Sequence, residues 1–159
     1  MKFENPQIPH HCLKRILLVE DKTPDIEITL VALEESNLAN EVIIARDGVE
    51  ALDYLYCRGK FADRTSEPPV VILLDNHMPR MSGLEVLRHI KADPNLKTIP
   101  VVMLTSSSEE PYLAESDKLG VNSFMVKPVD FVQFVAVVKK IGASWAIQLA
   151  IAGQFGTVI

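Results

Sequence analysis

Short apolar runs alternate with stretches of helical spacing along this chain. The run Arg15-Ile16-Leu17-Leu18-Val19-Glu20 reads as a buried strand. Thr23-Pro24 then supplies a cap and a proline at the first helical position, and Ile26, Leu30 and Leu33 recur at helical spacing up to about Ser36. A second strand is expected near Glu41 to Ala45. Asp47-Gly48 opens a helix whose apolar face carries Val49, Leu52, Leu55 and Tyr56, and Gly59 closes it. Periodicity vanishes from Lys60 to Pro69, a polar loop ended by Pro68-Pro69. The third strand is 70–74, followed by a helix after Ser82-Gly83 with Leu84, Leu87 and Ile90 on one face. Asp93-Pro94 ends that helix, and Pro100 precedes a fourth strand from Val101 to Leu104. Ser107 with Glu110 forms a capping-box signal for a fourth helix, which Gly120 ends. The fifth strand is about Ser123 to Val126. The last helix begins near Asp130 with Phe131, Phe134, Val135, Val138 and Ile141 inward.

Five strands and five helices in alternation predict an α/β fold: a doubly wound, five-stranded parallel sheet with helices on both faces. The chain divides into a leader over 1–12, a single domain over 13–145 and a C-terminal extension of the last helix over 146–159. Ala152-Gly153-Gln154-Phe155-Gly156 breaks helical pattern. Whether the stripe continuing through Trp145 and Leu149 packs on its own molecule or on a partner stays open, and its length favours a partner.

Composition narrows the class. A length of 159 residues and a hydrophobic fraction of 48% suit one domain with a sizeable core. A net charge of -5 and a pI near 5.4 disfavour nucleic-acid binding, which calls for a basic stripe. Cys12 and Cys57 are too few and too dispersed for a disulfide scaffold or a zinc site, so a reducing cytoplasm is expected. His10 and His11 lie in the polar leader and read as solvated, as does His89 on its helix. The N-terminus lacks the apolar region of a secretory signal, and no stretch reaches the roughly 18 uninterrupted apolar residues of a membrane span.

The candidate chemistry gathers at the carboxyl ends of the expected strands, where open α/β sheets bind ligands. The first ends in Glu20-Asp21, the third leads into Asp75, the fourth into Thr105-Ser106 and the fifth into Lys127-Pro128. Carboxylates crowded together repel one another, and a hard divalent cation such as Mg²⁺ relieves that cost. Glu20, Asp21 and Asp75 fit the need. Lys127 adds a compact positive charge and Thr105 a hydroxyl. Such a set makes a receptor for a phosphoryl group, with Asp75 as the nucleophile that forms an acyl phosphate.

These motifs resemble those of response-regulator receiver domains of two-component signalling. They are Glu20-Asp21, Asp75 with Met78-Pro79 and Gly83 behind it, Thr105-Ser106 and Lys127-Pro128, in order and at the family's spacing over roughly residues 12–143. The resemblance implies a flavodoxin-like (β/α)5 fold and phosphorylation of Asp75 by a sensor histidine kinase. Asp21 and Asp75 would bind Mg²⁺ directly, Glu20 would assist through water, and the backbone carbonyl of His77 would be a further ligand. Thr105 would bond a phosphoryl oxygen and move on phosphorylation, and Lys127 would pair with the phosphoryl group. The bond to Pro128 would be cis, and Phe124 would stand at the position of a rotating switch aromatic.

Within the family the chain is most similar to stand-alone regulators paired with cyanobacterial phytochromes. The likeness lies in the long loop from Cys57 to Pro69, the stretch 93–100, and Trp145. That similarity implies a phytochrome-type kinase and a homodimer through the face of the fourth helix, fifth strand and fifth helix. With no output domain after residue 159, signalling is expected to run through protein–protein contact. A phosphorelay shuttle and a receiver-like adaptor acting without phosphorylation are alternatives. An aspartyl-phosphate phosphohydrolase is disfavoured, because His77 stands where such enzymes carry a second Asp. The chain is therefore expected to be a phosphoacceptor that assists its own phosphorylation and dephosphorylation, not an enzyme acting on a separate substrate.

Overall fold

The computed structural model describes residues 15–35, 41–64, 67–106, 110–141, 148–151 and 154–157. Parallel strands β1 (Ile16–Val19), β2 (Val42–Ala45), β3 (Val71–Asp75), β4 (Val101–Thr105) and β5 (Ser123–Val126) form one sheet in the order β2-β1-β3-β4-β5. Helices α1 (Thr23–Glu35), α2 (Gly48–Leu55), α3 (Gly83–Ala92), α4 (Glu110–Lys118) and α5 (Phe131–Lys140) connect them. The doubly wound (β/α)5 architecture is the one expected from the alternation.

The two faces of the sheet are built by the period-two alternation of its strands. Ile16, Leu18, Val71, Leu73, Val102, Leu104 and Met125 pack beneath α1 and α5, against Ile26, Leu33, Phe134 and Val138. Leu17, Val19, Ile72, Leu74, Val101 and Met103 pack on the other side with Leu52, Tyr54, Val86, Leu87 and Ile90. Because β1, β3 and β4 are buried on both faces, their sequences read as unbroken apolar runs.

Local chemistry sets the helix starts. Asp47, Ser82 and Asp130 cap α2, α3 and α5 by accepting from the amide three residues on. Asn76 adds a second brace, its Oδ1 accepting from Leu84 N at 3.2 Å. Gly83 allows α3 to begin hard against β3, since a Cβ there would lie 2.2 Å from the Asp75 carbonyl oxygen.

Several inward assignments shift. Tyr54, not Tyr56, is the buried tyrosine of α2, and Arg64 stacks its guanidinium 4.1 Å from the Tyr54 ring. Phe131 is 44% exposed because it opens α5, before the helix lies fully on the sheet. The loop after α2 contains a short 3-10 turn at Gly59–Phe61, with Phe61 set edge-on to Tyr54.

The expected helical extension over 146–159 is corrected at the residues described there, 148–151 and 154–157. The last helix stops at Lys140, and β6 (Gln148–Ile151) pairs antiparallel with β7 (Gln154–Thr157). Only residues 152 and 153 separate these strands, and Gly153 and Gly156 are poor helix formers that suit a hairpin. The leader 1–12, the Ser107 end of the capping box and Trp145 lie outside the described residues.

Candidate functional site

Asp75 is the last residue of β3 and is 3% exposed. It keeps phase with Val71 and Leu73, so the alternation turns it toward the α1 and α5 side. Lys127, in phase with Met125 just beyond β5, approaches from the same side. Its ammonium lies 2.9 Å from Asp75 Oδ1, 2.6 Å from Glu20 Oε2 and 3.2 Å from Asp25 Oδ2. Glu20 is fully buried after β1, and its Oε1 accepts from Lys22 N at 3.3 Å.

One oxygen of each of Glu20, Asp21 and Asp75 lies within 4.8 Å of the others. Asp21 Oδ1 and Asp75 Oδ2 are buried with no hydrogen-bond donor. Glu20 Oε2 joins them: it meets Lys127 at ion-pair distance but without hydrogen-bond geometry. Orphaned buried carboxylate oxygens are expensive. Lys127 alone does not neutralise the group. All-oxygen, anionic donors converging from two strand ends are the donor set of a hard divalent cation, and the residues present fit such an ion.

The electrostatics record the crowding. Burial pushes the Glu20 carboxyl up to about 6, with the Asp75 charge adding to the rise and Lys127 and the Lys22 amide opposing it. Burial works against the Lys127 charge, yet Glu20 and Asp75 outweigh it and hold the ammonium above the ordinary lysine range. Lys127 is therefore a fixed cation at any physiological pH.

Thr105 ends β4 in phase with Val101 and Met103, on the opposite side of the sheet from Lys127. It is buried, and its Oγ1 donates to the Ser106 carbonyl at 2.9 Å. The Thr105 carbonyl in turn accepts from Lys127 N at 2.7 Å, tying the ends of β4 and β5. Phe124 is half-buried on that same side, in register with Met103. The Lys127–Pro128 peptide is cis. His77 is exposed on the loop after β3. Asn76 turns its Oδ1 to the first turn of α3. His89 is exposed on α3.

Asp25 was not among the residues the sequence singled out. It sits in the first turn of α1, where an acidic residue reads as a complement to the helix dipole. Its spacing of four from Asp21 was the available sign that it faces the same edge. Among the described residues no helix is long and apolar enough to cross a membrane.

Comparison with known proteins adds an independent line. The response regulator receiver domain family matches residues 16–139. The response regulator Rcp1 of Synechocystis is 39% identical over 132 residues, covering 83% of this chain and 88% of that protein. A structure of Rcp1 in its Mn²⁺-bound form superposes with a TM-score of 0.68, covering 84% of this chain and 94% of that one. The bacteriophytochrome response regulator AtBRR is 54% identical, with a TM-score of 0.79 over 84% of this chain and 96% of its own. The phosphorylated cyanobacterial phytochrome response regulator RcpA is 41% identical, with a TM-score of 0.69 over 84% and 94%. An acidic triad at the sheet edge, a lysine bridging it and a threonine at the neighbouring strand end thus stand on a sheet shared with these regulators, and the chain belongs to the response regulator receiver domain family.

Proposed function

We propose that this protein is a signalling switch that accepts a phosphoryl group on Asp75 from the phosphohistidine of a sensor histidine kinase. The observation that carries this reading is the state of the Asp75 carboxylate. Lys127 anchors Oδ1 at 2.9 Å, while Oδ2 is buried without a donor and keeps its lone pairs for an electrophile or a cation. In the transfer, an Asp75 oxygen forms the new bond to phosphorus as the bond from phosphorus to the histidine nitrogen breaks, and the imidazole leaves. Lys127 balances charge on the phosphoryl oxygens. Thr105 exchanges its bond to the Ser106 carbonyl for one to a phosphoryl oxygen, and Phe124, on the same side of the sheet, follows as the mobile aromatic.

Glu20, Asp21 and Asp75, with the backbone carbonyl of His77, would hold Mg²⁺. When bound, the ion supplies charge neutralisation for the carboxylates and for the incoming phosphoryl oxygens. The chain is a phosphoacceptor that assists its own loading and unloading, with no separate substrate. Its likeness to phytochrome response regulators favours a phytochrome-type kinase in the cytoplasm as the donor. A homodimer through α4, β5 and α5 is supported by Val126, Phe131 and Val132, apolar and 46%, 44% and 63% exposed.

Incubation with acetyl phosphate and Mg²⁺, followed by intact mass measurement, tests the central claim. Wild type gains one phosphoryl mass and Asp75→Asn gains none. Equal labelling of both proteins, or labelling of neither, would overturn it. Phosphotransfer profiling against purified sensor kinases then identifies the donor by kinetic preference.

A further inference from the structure

Lys127 carries three N–H donors, and three carboxylates stand within reach of them: Glu20 at 2.6 Å, Asp75 at 2.9 Å and Asp25 at 3.2 Å. The contact to Asp25 has hydrogen-bond geometry, whereas that to Glu20 Oε2 is an ion pair without it. A phosphoryl oxygen that reaches the ammonium therefore competes with carboxylates already around it. Glu20 is fully buried, and leaving it unpaired costs the desolvation of a charge. Asp75 is the acceptor itself. Asp25 differs from both: its side chain is 32% exposed, its contact is the longest of the three, and water can replace the lost partner.

We infer that Asp25 is a positioning residue that occupies, before phosphorylation, the Lys127 donor that the phosphoryl group afterwards takes. Resting on the reading of Asp75 as phosphoacceptor, this adds a second consequence. Asp25 belongs to the first turn of α1, so displacing it carries the phosphorylation signal into the N-terminal turn of that helix. Asp25 also places a negative charge at the rim, where an anionic phosphodonor must enter. Its removal relieves two obstacles together: competition for the ammonium and repulsion of the donor. Both act on donor binding more than on the bond-making step.

The test follows loading by acetyl phosphate at saturating Mg²⁺ in wild type, Asp25→Asn and Asp25→Glu. Asp25→Asn is expected to lower the half-saturating donor concentration about threefold with the maximal rate within about twofold, the scale of a partly exposed ion pair. The difference should shrink in high salt, where the Debye length falls to a few Å, about 3 Å at 1 M. Asp25→Glu, which keeps the charge, should stay near wild type. In wild type the Asp25 carboxyl carbon resonance should move when phosphoryl is loaded. A merely structural role for Asp25 would instead lower the melting temperature and the maximal rate while leaving half-saturation and its salt dependence alone. That pattern, an unchanged or raised half-saturation in Asp25→Asn, or a carboxyl resonance that stays put overturns the inference. If Asp25→Asn does not fold, Asp25→Ser takes its place under the same criteria. Failure of wild type to gain any phosphoryl mass is a different result and refutes the Asp75 reading instead.

Discussion

Glu20 is a residue whose charge the fold disfavours. It is fully buried, and burial together with the Asp75 charge raises its carboxyl from the ordinary 4.5 to about 6. Between these values the folded chain keeps a proton that the unfolded chain has released. Stability from this group therefore falls as pH rises through that window, and the full cost, about 2 kcal/mol, is present above it. Glu20→Gln removes the ionisation and keeps the shape of the side chain. In chelator-treated protein at pH 7.5 the variant should melt about 5 °C above wild type. At pH 4.5 and below, where wild-type Glu20 is largely protonated in the fold, the advantage should fade. Mg²⁺ should narrow the gap at pH 7.5, because only the carboxylate gains from the cation. Melting curves at the two pH values, with and without Mg²⁺, decide it, and a variant less stable than wild type at both would remove the argument. The site thus stores instability in one buried carboxylate, and a cation or a phosphoryl group bound nearby draws on it.

At the scale of elements, the acceptor's position depends on how closely α3 meets the end of β3. Gly83 N donates to the Asn76 carbonyl at 3.0 Å, and a Cβ on Gly83 would press on the Asp75 carbonyl oxygen at 2.2 Å. Backbone cannot give way there as a flexible side chain would. Gly83→Ala is expected to cost about 3 kcal/mol in denaturant unfolding, the upper end for an overpacked site. It should also slow acetyl phosphate labelling about a hundredfold by shifting Asp75 against Lys127. Gly120→Ala is the contrast. Its φ of +87° disfavours a side chain but nothing lies within 4 Å, so it should cost about 1 kcal/mol and leave labelling unchanged. Equal labelling rates in the two variants would show that the close approach is irrelevant to the site. Much of this scale is legible in the chain. Unbroken runs such as Val71-Ile72-Leu73-Leu74 announce strands covered on both faces, and Asp47, Ser82 and Asp130 announce helix starts. The failures share a cause. Tyr56 and Phe131 lie at helix ends, where geometry departs from the ideal period and an apolar residue fits an inward face on paper yet turns to solvent. Asp25 belongs to a helix, so a reading confined to strand tips passes over it. The β6–β7 hairpin was hidden because Gln148-Leu149-Ala150-Ile151 suits a helix as well as a strand, and pairing with the next segment, Gln154–Thr157, decides between them.

At the scale of the whole molecule, the sheet separates loading from reading. Asp75 and Lys127 keep phase with the strand residues under α1 and α5, whereas Thr105 and Phe124 keep phase with those under α2, α3 and α4. The proposed phosphoryl group would lie at the edge between both sets, where charge on one side would become packing on the other. If output runs by contact, it needs a surface that senses the β4–β5 end. Val126 follows directly on that end, and Phe131 and Val132 open α5 beyond the cis peptide at Lys127–Pro128. Three neighbouring exposed apolar residues are costly to leave in water, about 25 cal/mol for each Å² that a partner would cover. If a second copy covers them, Val132→Asp should place a charge in the interface and shift sedimentation from dimer to monomer at tens of micromolar, while acetyl phosphate labelling of Asp75 stays within about twofold. Ile28→Asp is the matched control. Ile28 is 44% exposed on α1, where it lines a groove with Val129 and Asp130 but lies outside the α4, β5 and α5 elements, and its substitution should leave the dimer intact. A wild type that sediments as a monomer with and without phosphoryl would refute the dimer outright. A dimer broken by Ile28→Asp and not by Val132→Asp would move the interface to the loading side, where a second copy and a kinase would compete for one face.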